Sequence, residues 1–290
     1  MAEKMYFGVL ENIQEIPAPK SGMGFASETD TEVTELVSGG RSVYRAPTAF
    51  KSFNMTWGSN SAKLRHLIDL YNGQFGPGPF YLTDPTASLL NVLPPRWSNG
   101  WQLAHQSGGW CRPTVNSASV QLPSDAFPSQ AFTNRYAEFT QVAAGSSVPL
   151  EGVLKTRVIR IPGKAYHFIV DGSATGGAGI KVRGYNGTTG VWTTLQTVGA
   201  GSFNISHVMV ADTNTTTTMI ELDVYMPLGS TLQVFGMCLG TTPVYESGSA
   251  WMPVGTGIGA VQFASSAGGE LVSSTIDRIG LSLDFIEVES

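Results

Sequence analysis

Between residues 50 and 93 the spacing of hydrophobic and polar positions changes twice, and the rest of the chain is organised around that stretch. Phe53, Met55 and Trp57 alternate with Ser52, Asn54 and Thr56, the period of two expected of a half-buried strand. Gly58 is read as its end. Asn60 or Ser61 then stands where a side-chain oxygen can accept a bond from a free N–H of a first helical turn. Leu64, Leu67, Ile68 and Tyr71 follow at i, i+3, i+4 and i+7, which predicts a short amphipathic helix closed by Gly73. The hinge GPGP feeds a short strand, Phe80 to Leu82, that stops at Asp84-Pro85.

Upstream, alternation predicts a strand near residues 6–10, a long polar strand or hairpin arm over 23–37, a turn at SGGR and a short strand over 42–46. In the polar arm Glu28, Asp30 and Glu32 share one face by the period of two. Downstream, LPPRWSNGW breaks the composition, and a domain boundary is placed near Pro95. From residue 97 to about 242 the pattern becomes short strands at regular spacing, the signature of a sandwich or jelly roll. Here GSATGGAG reads as a turn and Asn186-Gly187 as a hairpin that sets Trp192, Thr194 and Gln196 on the answering strand. Near the end, Ile279, Leu281, Leu283 and Phe285 share one face before the phase slips to Ile286 and Val288, as a bulge would cause. That long last strand either returns to the first domain, making the sandwich an insertion, or completes the sandwich.

Composition narrows the class. The chain has 290 residues with charged residues at 13% and 34 glycines, the profile of a turn-rich, mainly β protein of two domains rather than a disordered one. A net charge of −5 gives no basic surplus for a phosphate backbone. The first twenty residues carry acids and prolines and no apolar h-region, and no run of 18 apolar residues occurs, so the reading is synthesis in a cytoplasm with no membrane insertion. Two cysteines, Cys111 and Cys238, lack metal spacing and read as buried free thiols.

The W-x(6)-L-x-x-L-I-x-x-Y-N-G helix and the G-P-F-Y-L-T-D-P strand resemble the N-terminal belt domain of siphophage distal tail proteins and related minor tail proteins. The middle segment, with IPGKAYHF, IKVRGYN and STLQVFGMCLG, is similar in outline to carbohydrate-binding modules and galectin-like sandwiches found in that family. The resemblance implies a belt domain of residues 1–92 and 247–290 and a jelly-roll-like sandwich of residues 97–246. It implies a ring, hexameric by analogy, located at the virion's tail tip, with the tail tube protein on one side and the next tip or hub protein on the other. DNA would be only passing cargo, and Glu28, Asp30 and Glu32 would line the lumen, where negative charge keeps DNA from sticking. A solvated edge whose like charges discourage pairing is the simpler reading of the same three acids.

Candidate chemistry is sparse. No G-x-S-x-G, H-E-x-x-H or C-x-x-C occurs, and GTGIG at 255–259 opens no helix and reads as a turn. His66 reads as a solvated helix residue, His105 as a loop residue, and His167 and His207 as structural strand residues. Glu221 and Asp223 share a strand face and are the only carboxylate pair worth weighing for glycoside hydrolysis, but such pairs are common on solvated faces. No catalytic residue, cofactor or metal site is expected, and the chain is read as no enzyme. Exposed aromatic rings would stack on a pyranose; Trp101, Trp110, Tyr185, Trp192 and Tyr225 are the candidates for host-glycan contact, Tyr185 the one most expected to face out. A carbohydrate-binding module and, further off, a cell-wall hydrolase are the alternatives to a structural virion role.

Overall fold

A computed structural model describes residues 5–20, 24–28, 31–35, 41–45, 50–84, 87–98, 117–121, 137–142, 154–227, 229–241, 255–264, 268–273 and 278–288. In chain order these form β1 (Met5–Val9), β2 (Asn12–Ile16), β3 (Gly24–Glu28), β4 (Thr31–Glu35), β5 (Arg41–Arg45), β6 (Phe50–Asn60), α1 (Ser61–Tyr71) and β7 (Phe80–Leu82). There follow α2 (Pro95–Ser98), β8 (Ser117–Gln121), β9 (Ala137–Val142), β10 (Lys155–Ile159), β11 (Tyr166–Asn186) and β12 (Val191–Val210). The described elements end with β13 (Thr217–Tyr225), β14 (Thr231–Gly240), β15 (Ala260–Phe263), β16 (Gly268–Ser273) and β17 (Arg278–Val288). The fold is mainly β, with two antiparallel sheets and a separate β4–β5 ribbon.

The first sheet runs β2-β1-β7-β15-β17-β6-β3, with β16 added to β17. Its core is set by the alternation on β6. Phe53, Met55 and Trp57 are buried and stand opposite Phe285, Leu283 and Leu281 of β17 in antiparallel register. The last strand therefore returns to the first sheet. Gly58 does not end β6: it pairs with Gly280 inside the ladder, and the strand continues two residues further into the helix. A Cβ at Gly58 would lie 2.1 Å from the Cε of Lys20, so the glycine leaves room for that side chain.

Helix α1 covers this core with Leu64, Leu67 and Leu70, each at most 1% exposed; burying a leucine contributes roughly 2 kcal/mol. The helix stops as its glycine dictates. Gly73 has φ +76°, its N–H donates to Leu70 O and that of Gln74 to Asp69 O, both at 3.0 Å, the paired bonds of a Schellman cap.

The supposed slip at Phe285 and Ile286 is absent. Register is unbroken along β17 against both β6 and β15, Ile286 is 43% exposed and Glu287 is buried. The inward phase simply passes from apolar residues to a carboxylate. The long arm expected over 23–37 is divided: β3 pairs with β6, while β4 pairs with β5.

The second sheet runs β10-β13-β11-β14-β9-β8, with β12 added to β11. Its strands are longer than the short, evenly spaced ones expected. The glycine-rich stretch is a bend within β11, and the register shifts there between Ala174 and Gly179. Gly176 and Gly177 take φ of +64° and +82°, and Gly179 lies so close to β12 that a Cβ would sit 2.1 Å from Val198 O. Before the bend β11 pairs with β14, and after it with β13. A strand that changes partner at a bulge turns a corner, and Phe168, Val170, Ile180, Val182, Leu222, Leu232 and Val234 meet in one core. Asn186 caps the hairpin as read, its Oδ1 accepting from the N–H groups of Thr188 and Thr189.

Residues 89–98 are packed between the sheets. Val92 N–H donates to Leu239 O and Thr241 N–H to Leu89 O, while Leu93 and Trp97 are buried in the core of the second sheet.

Candidate functional site

The outer face of the second sheet carries most of the residues singled out for chemistry. Antiparallel register places Lys155, Asp223 and Lys181 in one cross-strand row and Arg157, Glu221 and Arg183 in the next. Each row alternates in sign, as opposed strands favour. Arg157 Nε lies 2.7 Å from Glu221 Oε2, and Arg183 lies 3.5 Å from both Glu221 and Asp223. Glu221 and Asp223 are 2% and 0% exposed. They are not the solvated pair expected from the sequence. A charged pair buried without partners would be costly, and flanking arginines supply what water would have supplied. Held in this way, the two carboxylates serve as ion-paired acceptors.

The aromatic candidates divide. Tyr185 is 4% exposed rather than outward-facing. It is buried with Tyr6, Tyr81, Ile159, Met219 and Ala260 where the outer faces of the two sheets meet. A strand-end tyrosine beside a turn looks exposed from local sequence alone; here the first sheet covers it. Trp192 is half-buried, 5.1 Å from the Tyr185 ring, with the Arg157 guanidinium 5.2 Å from its own centroid. Tyr225 is half-buried, with Lys181 Nζ 3.9 Å from its centroid. Cations lie over both rings, so a ring face that a sugar would stack on is shared with a side chain. Trp101 and Trp110 lie outside the described residues, as do Asp30 and the side chains of Glu28 and Glu32; by backbone, Glu28 closes β3 and Glu32 lies on β4.

His66 is partly buried rather than solvated. Its Nε2 is 2.9 Å from Phe7 O, and burial pulls its pKa below the ordinary value against the opposing effects of that bond and of Asp69. It borders an open groove of about 560 Å³ between β2 and α1, with Gln14, Glu15, Arg65, Asp69 and Phe75 on its walls. His167 is also lowered, by burial; His105 and the side chain of His207 lie outside the described residues. Cys238 is buried, its Sγ donates to Leu90 O at 3.1 Å, and burial pushes the thiol up to about 12. Cys111 lies outside the described residues.

Where the chain crosses between the sheets there is a polar network that the sequence reading missed. Glu287 Oε1 lies 2.9 Å from Arg96 Nη1, with both side chains at most 2% exposed. The same oxygen accepts from Gly259 N–H, and Oε2 accepts from Lys51 N–H. Lys51 Nζ is 2.7 Å from Asp84 and also bonds Thr256 O. Asn91 reaches across to Met237 O and Leu239 N–H. GTGIG is neither turn nor fingerprint here. Cβ atoms at Gly255 and Gly257 would lie 2.2 and 1.7 Å from the carbonyls of Leu93 and Val92, so the alternating glycines let two backbones touch. The signal was the inward slot at Glu287 in the 281, 283, 285 series.

Among the described residues no group of three or more His, Cys, Asp or Glu side chains is placed to hold a metal ion, and no helix is long and apolar enough to cross a membrane. A scan against protein-family models finds no match. A search of curated proteins likewise finds none.

Proposed function

We propose that this chain is a structural protein of a siphophage tail tip, forming a ring that joins the tail tube to the distal tip and carrying its second sheet as a spacer. The observation that carries the reading is the return of β17 to β6: residues near both ends build one sheet around the strand, helix and hinge that carry the resemblance, and the second sheet is inserted between them. A module inserted in this way is joined at both of its junctions to the sheet that holds β1 and β17. The base supplies the ring-forming belt, residues 1–92 and 247–290, and the insert spans residues 97–246. A ring of six copies is the expected stoichiometry, with the tube protein and the next tip protein as axial partners and the virion tail tip as its place.

The role proposed is non-catalytic and needs no cofactor. A glycan-binding insert is the weaker version of the same reading, since Tyr185 is buried and Trp192 and Tyr225 are each overlain by a cation. The experiment is immunogold labelling of purified phage tails with antibody against the chain. Label at the distal end of the tube is the expected result, and label absent from tails or spread along the tube defeats the proposal.

A further inference from the structure

At one end of the second sheet two turns meet over a buried cation. Residues 161–165 lead from β10 into β11, and residues 211–216 lead from β12 into β13. Arg160 stands between them, 1% exposed. Its Nη2 donates to Ala211 O at 2.9 Å, Lys164 O at 3.1 Å and Asp212 O at 3.3 Å, and its Nη1 to Thr217 O at 3.5 Å. Among the described residues, every hydrogen-bond partner of this guanidinium is a main-chain carbonyl. Asp212 bonds through its carbonyl, and its side chain attracts the arginine only from further off.

A charge taken out of water needs other groups to replace its hydration. Four carbonyls do so here, three of them converging on one nitrogen that has only two N–H bonds to share. The oxygens are held by turn chemistry as well as by the arginine. Asn214 N–H donates to Ala211 O, and Asn214 Oδ1 accepts from the N–H groups of Thr216 and Thr217. Lys164 N–H donates to Ile161 O across the other turn.

We propose that these carbonyls form a cation-binding cage, filled from within the chain by Arg160, and that the ligand it takes is a planar guanidinium. Contacts of 2.9 to 3.5 Å are N–H···O lengths, whereas calcium takes oxygens at about 2.3–2.6 Å, with carboxylates among them. The cage bears on more than its own turns. Ile161, the next residue, packs against the cluster that Tyr6, Tyr81 and Tyr185 share between the sheets, and its N–H donates to Tyr166 Oη. Arg160 thereby sets the end of the second sheet that lies against the first, with a cation that no chelator removes.

Chemical rescue of the full chain tests this. Arg160→Ala removes a fragment with the shape of ethylguanidinium, so melting is followed by circular dichroism with ethylguanidinium, ethylammonium or calcium added. At a tenfold excess over its dissociation constant, ethylguanidinium should raise the midpoint of the variant by at least about 2 °C. The parent's midpoint should not rise, and neither ethylammonium nor calcium should reproduce the effect. A variant that is unfolded alone should regain its native spectrum in ethylguanidinium. The folded parent supplies a second measurement: side-chain 15N spectra should show separately resolved Nη groups, held against rotation, that vanish in Arg160→Lys. No rescue of the variant overturns the cage, as does a freely rotating Arg160 guanidinium in the parent. Rescue by calcium overturns the ligand assigned to it.

Discussion

At the scale of single residues, stability turns on charges that the fold has taken out of water. Glu287 is the test case. Removing one partner of a buried ion pair leaves the other uncompensated, at about 3–5 kcal/mol. Glu287→Gln should therefore lower the unfolding free energy from urea melts by an amount in that range, since Arg96, 2% exposed, keeps its charge. Ile286→Ser, next to it and exposed, should change stability by no more than about 0.5 kcal/mol. The reverse ranking would mean that the sequence-based phase slip is right and the unbroken register is wrong. Histidine gives a second test. The folded pKa of His66 lies below its unfolded value, so the fold favours the neutral ring. Its contribution is complete above the unfolded value of about 6.5 and is lost as pH falls through the folded one. Unfolding midpoints between pH 7 and pH 5 should fall less steeply in His66→Gln than in the parent. An unchanged slope would assign that acid sensitivity elsewhere, His167 being the other lowered imidazole.

At the scale of elements, close backbone approach is what the glycines supply. Gly257→Ala sets a methyl 1.7 Å from Val92 O, and backbone on both sides has nowhere to go. The expected cost is about 3 kcal/mol or more, read from denaturant melts. Gly163→Ala, at φ +73° with nothing within 4 Å, should cost only about 1 kcal/mol of backbone strain. Equal costs would refute the packing argument for the 255–259 segment. The elements legible in the sequence were those whose period had a single explanation: β6 by alternation, α1 by its i, i+3, i+4 series and Gly73, β7 by its Gly-Pro hinge. Those misread had two. A glycine cluster serves a turn or a bent strand equally, and the choice at 172–179 is made by β14 and β13, which lie far away in sequence. Tyr185 beside a hairpin turn and the carboxylates of Glu221 and Asp223 look solvated until the first sheet and the arginines of β10 and β11 are placed against them.

At the scale of the molecule, the order of strands matters more than any one of them. The sheet that holds β1 also holds β17, so the second sheet is bracketed by its host, and Lys51, Asp84, Arg96 and Glu287 pin the crossing. The buried cluster that Tyr6 and Tyr81 share with Tyr185, together with the 3.0 Å bond from Arg157 to Tyr81 Oη, ties the faces together. Tyr185→Ala should accordingly loosen that contact, seen as faster amide exchange in β1 and β7, before it affects binding to any sugar. Loss of cell binding with unchanged exchange would return Tyr185 to the surface. A sheet whose strands bracket an inserted module suits the proposed ring component, which must hold its neighbours while presenting something outward. The measurement that tests this most directly is the mass of the purified protein by light scattering over a range of concentrations, with negative-stain images of the same sample. Closed rings of one fixed stoichiometry with a central hole are predicted; a monomer at every concentration would contradict the account.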